Sequence, residues 1–183
     1  MKKHNIAVFV GSLRKESFNL KTAKSLIKLA PSSMSFELID ISNLPFYNED
    51  LEANPPKEWI SFREKMKDFD GVLFVTPEYN RSVPAVLKNA LDVGSRPYGA
   101  SIWNKKPGAV VSVSIGGLSA FGANHHLRQS LVFLNIPTMA QPEAYIGGAG
   151  SLFDEQGNLI NDSTKKLFTD FMIAFEEWVG KNG

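Results

Sequence analysis

Apolar positions along this chain follow two rhythms that take turns. Ile6-Ala7-Val8-Phe9-Val10, Val72-Leu73-Phe74-Val75-Thr76 and Ala109-Val110-Val111-Ser112-Val113-Ser114 are short, nearly continuous apolar runs. Such runs predict strands covered on both faces. Phe36-Glu37-Leu38-Ile39-Asp40-Ile41 alternates more and predicts a second strand, and the stretch from Pro137-Thr138-Met139 to Tyr145 predicts a shorter fifth. Between the runs, apolar residues recur at three- and four-residue steps: Leu20, Ala23, Ile27 and Ala30; Trp59, Phe62, Met66 and Phe69; Leu87, Ala90 and Leu91; Leu127, Leu131 and Leu134; Leu167, Phe171, Phe175 and Val179. That spacing predicts helices with one buried face. Pro84 suits the first turn of the third helix.

Strand and helix therefore alternate, which predicts parallel strands joined by right-handed crossovers, with helices on both faces. Five strands point to an α/β three-layer sandwich with the flavodoxin-like strand order 2-1-3-4-5. In such a sheet, ligands bind beyond the carboxyl ends of the strands, beside the switch in strand order. The loops after strands one, three and four are accordingly where chemistry is expected. Two irregular connections are long: 43–56, with Pro45, Pro55 and Pro56, and 94–108, with Arg96-Pro97-Tyr98-Gly99 and Trp103. Segments of that kind are more often functional or interfacial than idle. Residues 147–157 form a third loop without an evident role. With no repeat, linker or low-complexity tract in 183 residues, one domain over 1–183 is expected.

Composition narrows the chemistry. Lys plus Arg number 20 against 19 Asp plus Glu, so there is no whole-chain field to hold nucleic acid or an anionic membrane. The absence of cysteine excludes disulfides, iron-sulfur ligation, thiolate zinc sites and every cysteine nucleophile, and with them a low-molecular-weight cysteine phosphatase. His4, His125 and His126 are the only histidines, and no metal site is expected. No 18 apolar residues run together, and the five from Ile6 to Val10 are too few for a signal-peptide core. The expectation is a cytoplasmic protein.

After strand one comes Gly11-Ser12-Leu13-Arg14-Lys15-Glu16-Ser17-Phe18-Asn19. It is neither a G-x-G-x-x-G dinucleotide fingerprint nor a P-loop. Instead it offers the Ser12 and Ser17 hydroxyls, the Asn19 amide and the Arg14 guanidinium beside a helix N-terminus, which suits one terminal phosphate. Ser17 or Asn19 could equally be a helix cap, with Gly11 permitting the turn. The loop's place at the ligand face favours phosphate binding. Strand three runs into Thr76-Pro77-Glu78-Tyr79-Asn80-Arg81-Ser82-Val83-Pro84, a proline-stiffened segment whose backbone amides and Tyr79 ring suit a flat ligand. Strand four ends in Ser114-Ile115-Gly116-Gly117-Leu118-Ser119, where absent side chains permit close approach to the backbone. One phosphate loop and two loops for a planar, hydrogen-bonding edge describe a mononucleotide with a large ring.

Gly11-Ser12-Leu13-Arg14 with Ser17 and Asn19, then Pro77-Glu78-Tyr79-Asn80 with Ser82-Val83-Pro84 and Leu87-Lys88-Asn89-Ala90, resemble the signatures of the NAD(P)H-dependent FMN reductase family of quinone, chromate and azo-dye reductases, over residues 6–146. The resemblance implies FMN as cofactor, NAD(P)H as co-substrate with NADPH favoured, and a homodimer or homotetramer. Hydride would pass to flavin N5 and onward to quinone, azo, chromate or free flavin acceptors in a ping-pong cycle. By motif match, Ser12, Arg14, Ser17 and Asn19 would hold the phosphate, with Leu20 nearby. Pro77, Glu78, Tyr79 and Asn80 would line the isoalloxazine and ribityl chain, mostly through backbone groups, and Ser114, Gly116 and Gly117 would face the pyrimidine edge. Hydride transfer needs stacked rings and no side-chain acid or base, so no catalytic residue is assigned.

The chain departs from the family pattern at Phe121-Gly122-Ala123-Asn124-His125, often Arg-rich, at Val93-Gly94, where bulk often follows, and at Arg81. The resemblance suggests an Arg128–Glu143 pair across a subunit contact, with ordinary surface charges as the other reading. His125 and His126, adjacent on a helix, would point apart, one to solvent. Trp103 would cover the flavin, fill a dimer interface or fill the core. Lys21, Lys24 and Lys28 would form a solvated stripe. The competing function is a flavin-binding electron carrier or redox sensor without turnover. A carrier of the flavodoxin type is usually strongly acidic, unlike this chain. A response-regulator receiver would need acidic residues where Phe9-Val10-Gly11 stands.

Overall fold

In the computed structural model, which describes residues 3–183, strand and helix alternate from end to end. The elements are β1 (His4–Val10), α1 (Phe18–Leu29), β2 (Met34–Leu38), α2 (Lys57–Lys65), β3 (Gly71–Thr76), α3 (Ala85–Gly94), β4 (Gly108–Val113), α4 (Phe121–Phe133), β5 (Ala144–Ile146) and α5 (Asp162–Asn182). The strands form one parallel sheet in the order β2-β1-β3-β4-β5, as the alternation predicted.

Side-chain alternation along the central strands sorts the core into two layers. Ile6, Val8, Leu73, Val75, Val111 and Val113 face α1 and α5, meeting Leu26, Phe168, Phe171 and Phe175. Ala7, Phe9, Val72, Phe74 and Val110 face the other way, toward Phe62 of α2, Leu91 of α3 and Leu127 of α4. Burial on both faces is why these strands read as unbroken apolar runs. Among the described residues no helix is long and apolar enough to cross a membrane.

Several boundaries differ from the sequence reading. β2 occupies Met34–Leu38, two residues earlier than the Phe36–Ile41 run. Ile39 still donates its N–H to Val8 O at 2.9 Å, but Asp40 Oδ1 then accepts from Ser42 N at 2.9 Å and turns the chain away. Ile39 and Ile41 remain buried as loop residues. β5 is confined to Ala144–Ile146, and Thr138 contributes only a single bridge to Gly108. Pro137 and Pro142, which lack N–H donors, flank the interruption. α2 stops at Lys65 and tightens into a 3-10 turn over Met66–Asp68, with Phe69 extended beyond it. Pro84 stands at the N-cap of α3, just outside the first turn.

The two long connections are tied down within the chain. Asn89 of α3 accepts from Tyr47 N at 2.8 Å and donates to Leu44 O at 3.1 Å, while Trp59 Nε1 donates to Pro45 O at 2.8 Å. Arg96 clasps Glu52, its Nη2 donating to Oε2 at 3.1 Å, which ties 43–56 to 94–108. Trp103 is a core residue, fully buried with ring centroids 5.5 Å from Phe9 and 6.1 Å from Phe62 and Phe74. Neither flavin cover nor a subunit contact is open to it.

Candidate functional site

β1 and β3 lie side by side, yet their helices leave to opposite faces, α1 to the α5 side and α3 to the α2 side. Their loops therefore part at the carboxyl edge of the sheet and leave a crevice there. Gly11 lets the two loops close up beneath it: a Cβ at that position would lie 3.1 Å from Pro77 Cδ. A cavity of about 180 Å³ opens above, lined by Ser12, Arg14, Ser17, Phe18, Asn19, Pro77, Glu78, Val113, Ser114 and Ile115. It draws on all three loops singled out in the sequence. Leu20, Tyr79, Asn80, Gly116 and Gly117 stand outside that lining. Phe18, Val113 and Ile115 were missed, although each is a chain neighbour of a residue that was named. A larger hollow of about 340 Å³ lies between α3 and α4, away from these loops.

The floor of the cavity is the amino end of α1. Ser17 is its N-cap, with Oγ accepting from Leu20 N at 3.2 Å, so the capping reading of Ser17 holds and the residue also lines the cavity. The N–H groups of Phe18 and Asn19 precede the first intrahelical bond and are left for an anion. Asn19 is 6% exposed, and its Oδ1 is buried without a hydrogen-bond partner. An orphan acceptor beside free donors fits a ligand carrying both an anionic end and a hydroxyl. Arg14 is exposed at the lip and makes no hydrogen bond or ion pair within the described residues.

The wall after β3 is built differently from a plain proline-stiffened loop. Tyr79 and Ser82 exchange backbone bonds of 3.1 and 3.0 Å, with Asn80 at φ 50° and Arg81 at φ 66°. This is a type I′ turn, and the Asn at its first left-handed position was the available signal. The Glu78 side chain reaches across to α4. Its Oε2 accepts from Ala123 N at 3.0 Å and its Oε1 from Arg81 Nη1 at 3.0 Å. α4 has no side-chain cap of its own, so Glu78 supplies one from outside. Gly122 makes room for this, since a Cβ there would sit 2.9 Å from Glu78 Oε2.

The loop after β4 forms the far wall. Gly116 N donates to Ser114 Oγ at 2.9 Å. A Cβ on Gly117 would meet nothing within 4 Å, and one on Gly116 only Ser114 Oγ at 3.5 Å, so these glycines leave open space against backbone. On these three loops and at the start of α4, the apolar or aromatic side chains of Leu13, Tyr79, Ile115, Leu118 and Phe121 are all at least half exposed.

His125 and His126 both lie exposed, and each has a tertiary partner: His126 Nδ1 meets Ser82 Oγ at 2.8 Å and His125 Nε2 meets Tyr145 OH at 2.9 Å. Tyr145 OH in turn donates to Glu143 at 2.7 Å. Arg128 bonds inward, so within the chain it does not pair with Glu143. Burial, then the hydrogen bond to Glu143 and its charge, push the Tyr145 phenol up to about 12 against a weaker opposing pull from Arg128. A phenol whose pKa is higher folded than unfolded adds stability below pH 10 that is lost as pH rises to about 12. The melting temperature of the parent is therefore expected to fall more steeply from pH 10 to 12 than that of Tyr145→Phe. Parallel melting curves for the two proteins would refute the assignment.

Residues 4–151 match the NADPH-dependent FMN reductase family. A quinone reductase of Pseudomonas putida is 59% identical over 180 residues, covering 98% of this chain and 96% of its own. A 2-hydroxy-1,4-benzoquinone reductase of a Burkholderia species is 47% identical over 95% of each chain. The solved structure of FerB, a flavoenzyme NAD(P)H:(acceptor) oxidoreductase from Paracoccus denitrificans, superposes with a TM-score of 0.93 at 40% identity, covering 98% of this chain and 99% of its own. A flavodoxin variant from Pseudomonas aeruginosa, at 16% identity and a TM-score of 0.58, shares the fold alone. With its phosphate-ready helix end, its glycine-backed wall and this similarity, the chain belongs to the NADPH-dependent FMN reductase family and is an oxidoreductase that uses FMN and NAD(P)H.

Proposed function

We propose that the chain is a quinone reductase working in two half-reactions at one open pocket, first taking hydride from NADPH and then passing two electrons to a quinone. Azo compounds, chromate and free flavin are further acceptors in this reading. The observation that carries it is the cavity that joins the free amino end of α1 to Pro77 of the loop after β3 and to Ser114 and Ile115 of the loop after β4. FMN, when bound, supplies the two-electron relay between nicotinamide and acceptor.

The chain's own residues supply placement. Arg14, Ser12 and the free amides of α1 hold the phosphate, while Asn19 Oδ1 accepts from a ribityl hydroxyl. The backbone of Pro77 to Asn80 lines the ring, and amides of the Gly116–Gly117 segment meet the edge where negative charge gathers on reduction. The exposed side chains of Leu13, Ile115, Leu118 and Phe121 give a planar acceptor an apolar surface on which to stack. No free side-chain acid or base lines the cavity, because the Glu78 carboxylate is engaged by Ala123 N and Arg81. The names of the relatives from Pseudomonas putida and the Burkholderia species favour quinones among the acceptors.

The purified protein is expected to be yellow, to bleach on anaerobic addition of NADPH and to recolour with benzoquinone. Colour that never bleaches would mark a carrier or sensor instead. Gly117→Val tests the far wall at a position where a Cβ would meet nothing within 4 Å. The variant is expected to melt with the parent and to bind FMN at least about tenfold more weakly, one lost tenfold step being ~1.4 kcal/mol. Full flavin occupancy in that variant would remove the wall from the site.

A further inference from the structure

Behind the glycine wall lies a row of hydrogen bonds whose direction is fixed from one end. Arg128 can only donate, and its Nε gives a hydrogen bond to Asn124 Oδ1 at 2.9 Å. The Asn124 amide is thereby oriented, so its Nδ2 faces Ser112 and donates to Oγ at 3.2 Å. With that lone pair occupied, the Ser112 hydroxyl gives its proton to the backbone carbonyl of Ser119 at 2.9 Å. Ser112 and Asn124 are both 0% exposed, so a misdirected donor here would have no water to fall back on. Arg128 is itself anchored, its Nη1 donating to Met139 O at 3.0 Å.

The carbonyl at the end of this row sits where the loop is strained. Ser119 and Ala120 follow one another at φ 54° and 57°, a conformation that L-residues with side chains seldom adopt twice in succession. Every other hydrogen bond made by residues 116–119 stays within 114–121, so the Ser112 hydroxyl is the bond that ties this stretch to the sheet. We infer that Asn124 and Ser112 are positioning residues for flavin binding: with Arg128 orienting the Asn124 amide, they fix the Ser119 peptide and with it the shape of the Gly116–Gly117 wall. The inference rests on the reading that this wall receives the flavin ring.

Ser112→Ala removes the last donor. Asn124→Asp keeps an acceptor for Arg128 but cannot donate to Ser112, whose hydroxyl then turns to the new carboxylate and releases Ser119 O. Flavin-stripped full-length proteins would be titrated with FMN and with riboflavin, which lacks the phosphate, and followed by flavin fluorescence. Both variants are expected to lose about tenfold in affinity for each flavin. Asn124→Asp is expected to do so while melting within a few degrees of the parent, since Arg128 keeps its partner. Arg14→Ala, measured alongside, is expected to lose FMN affinity alone. If it does and the other two bind both flavins as the parent does, the inference is overturned and the reading of the site stands. If Gly117→Val, titrated in the same way, also binds both flavins as the parent does, the reading of the wall itself falls and takes the inference with it. Weakened binding by Asn124→Asp that comes only with a collapsed melting temperature, together with unchanged binding by Ser112→Ala, would also overturn it.

Discussion

Replacing Trp103 with alanine is expected to lower the free energy of unfolding by about 3–5 kcal/mol, the range for an aromatic ring deleted from a packed core. The indole is fully buried among Phe9, Phe62 and Phe74, so each of these rings would lose a wall at once. Its Nε1 also donates to Leu91 O at 2.9 Å, so this carbonyl of α3 would lose one of its two donors and keep only Ser95 N at 3.0 Å. Collapse into the space is resisted from the α3 side. Gly94 is there because a Cβ would come within 2.5 Å of Trp103 Nε1, and a glycine cannot grow to fill the hole its neighbour leaves. Urea unfolding followed by far-ultraviolet circular dichroism would read the loss as a lowered midpoint with an unchanged slope. A loss under about 1.5 kcal/mol, the scale of one net hydrogen bond, would show that the indole is not a core support.

Trp103 also marks where the sequence stopped being readable. The sheet order followed from local text, because strands buried on both faces must be apolar throughout, and the crossovers that separate parallel strands must be helices. The position of the ligand site followed from that order. The three loops lay next to each other because the strand order put them there, and seven of the twelve named residues line one cavity. What the sequence hid was contact at long range. Trp103 sits in a loop with no periodicity, and its burial depends on Phe9, 94 residues earlier, and on a glycine it touches across the loop. Glu78 looked like a ring-lining residue, yet its carboxylate caps a helix that starts 43 positions later. The N-cap of α4, Ala120, is in a left-handed conformation, and the lack of Ser, Thr, Asp or Asn at that cap was the cue that a cap must come from elsewhere. β2 slipped by two residues because Asp40 and Ser42 close a turn on themselves, a local competition that hydrophobic pattern does not register.

For Arg14→Ala the expected loss is in FMN affinity, about 1.5–3 kcal/mol, the range for a hydrogen bond to a charged group, which corresponds to ~10- to 150-fold in the dissociation constant. Nothing in the described residues competes for the guanidinium, so its removal leaves no partner stranded, and the melting temperature of the flavin-free protein is expected to hold. The effect belongs to the phosphate. Riboflavin, which offers no anion to Arg14 or to the free amides of α1, is expected to bind the variant and the parent alike. Salt supplies a second signature, because Arg14 is exposed and its attraction to an anion is screened. The gap between parent and variant is expected to narrow as ionic strength rises from 0.05 to about 1 M, where the screening length falls to roughly 3 Å. An equal loss for FMN and riboflavin would move Arg14 from the phosphate to the ring, and an unchanged dissociation constant would take it out of the site. The free amides of α1 and the Ser12 hydroxyl would then have to hold the phosphate alone, and changing the lip of the cavity would leave affinity untouched.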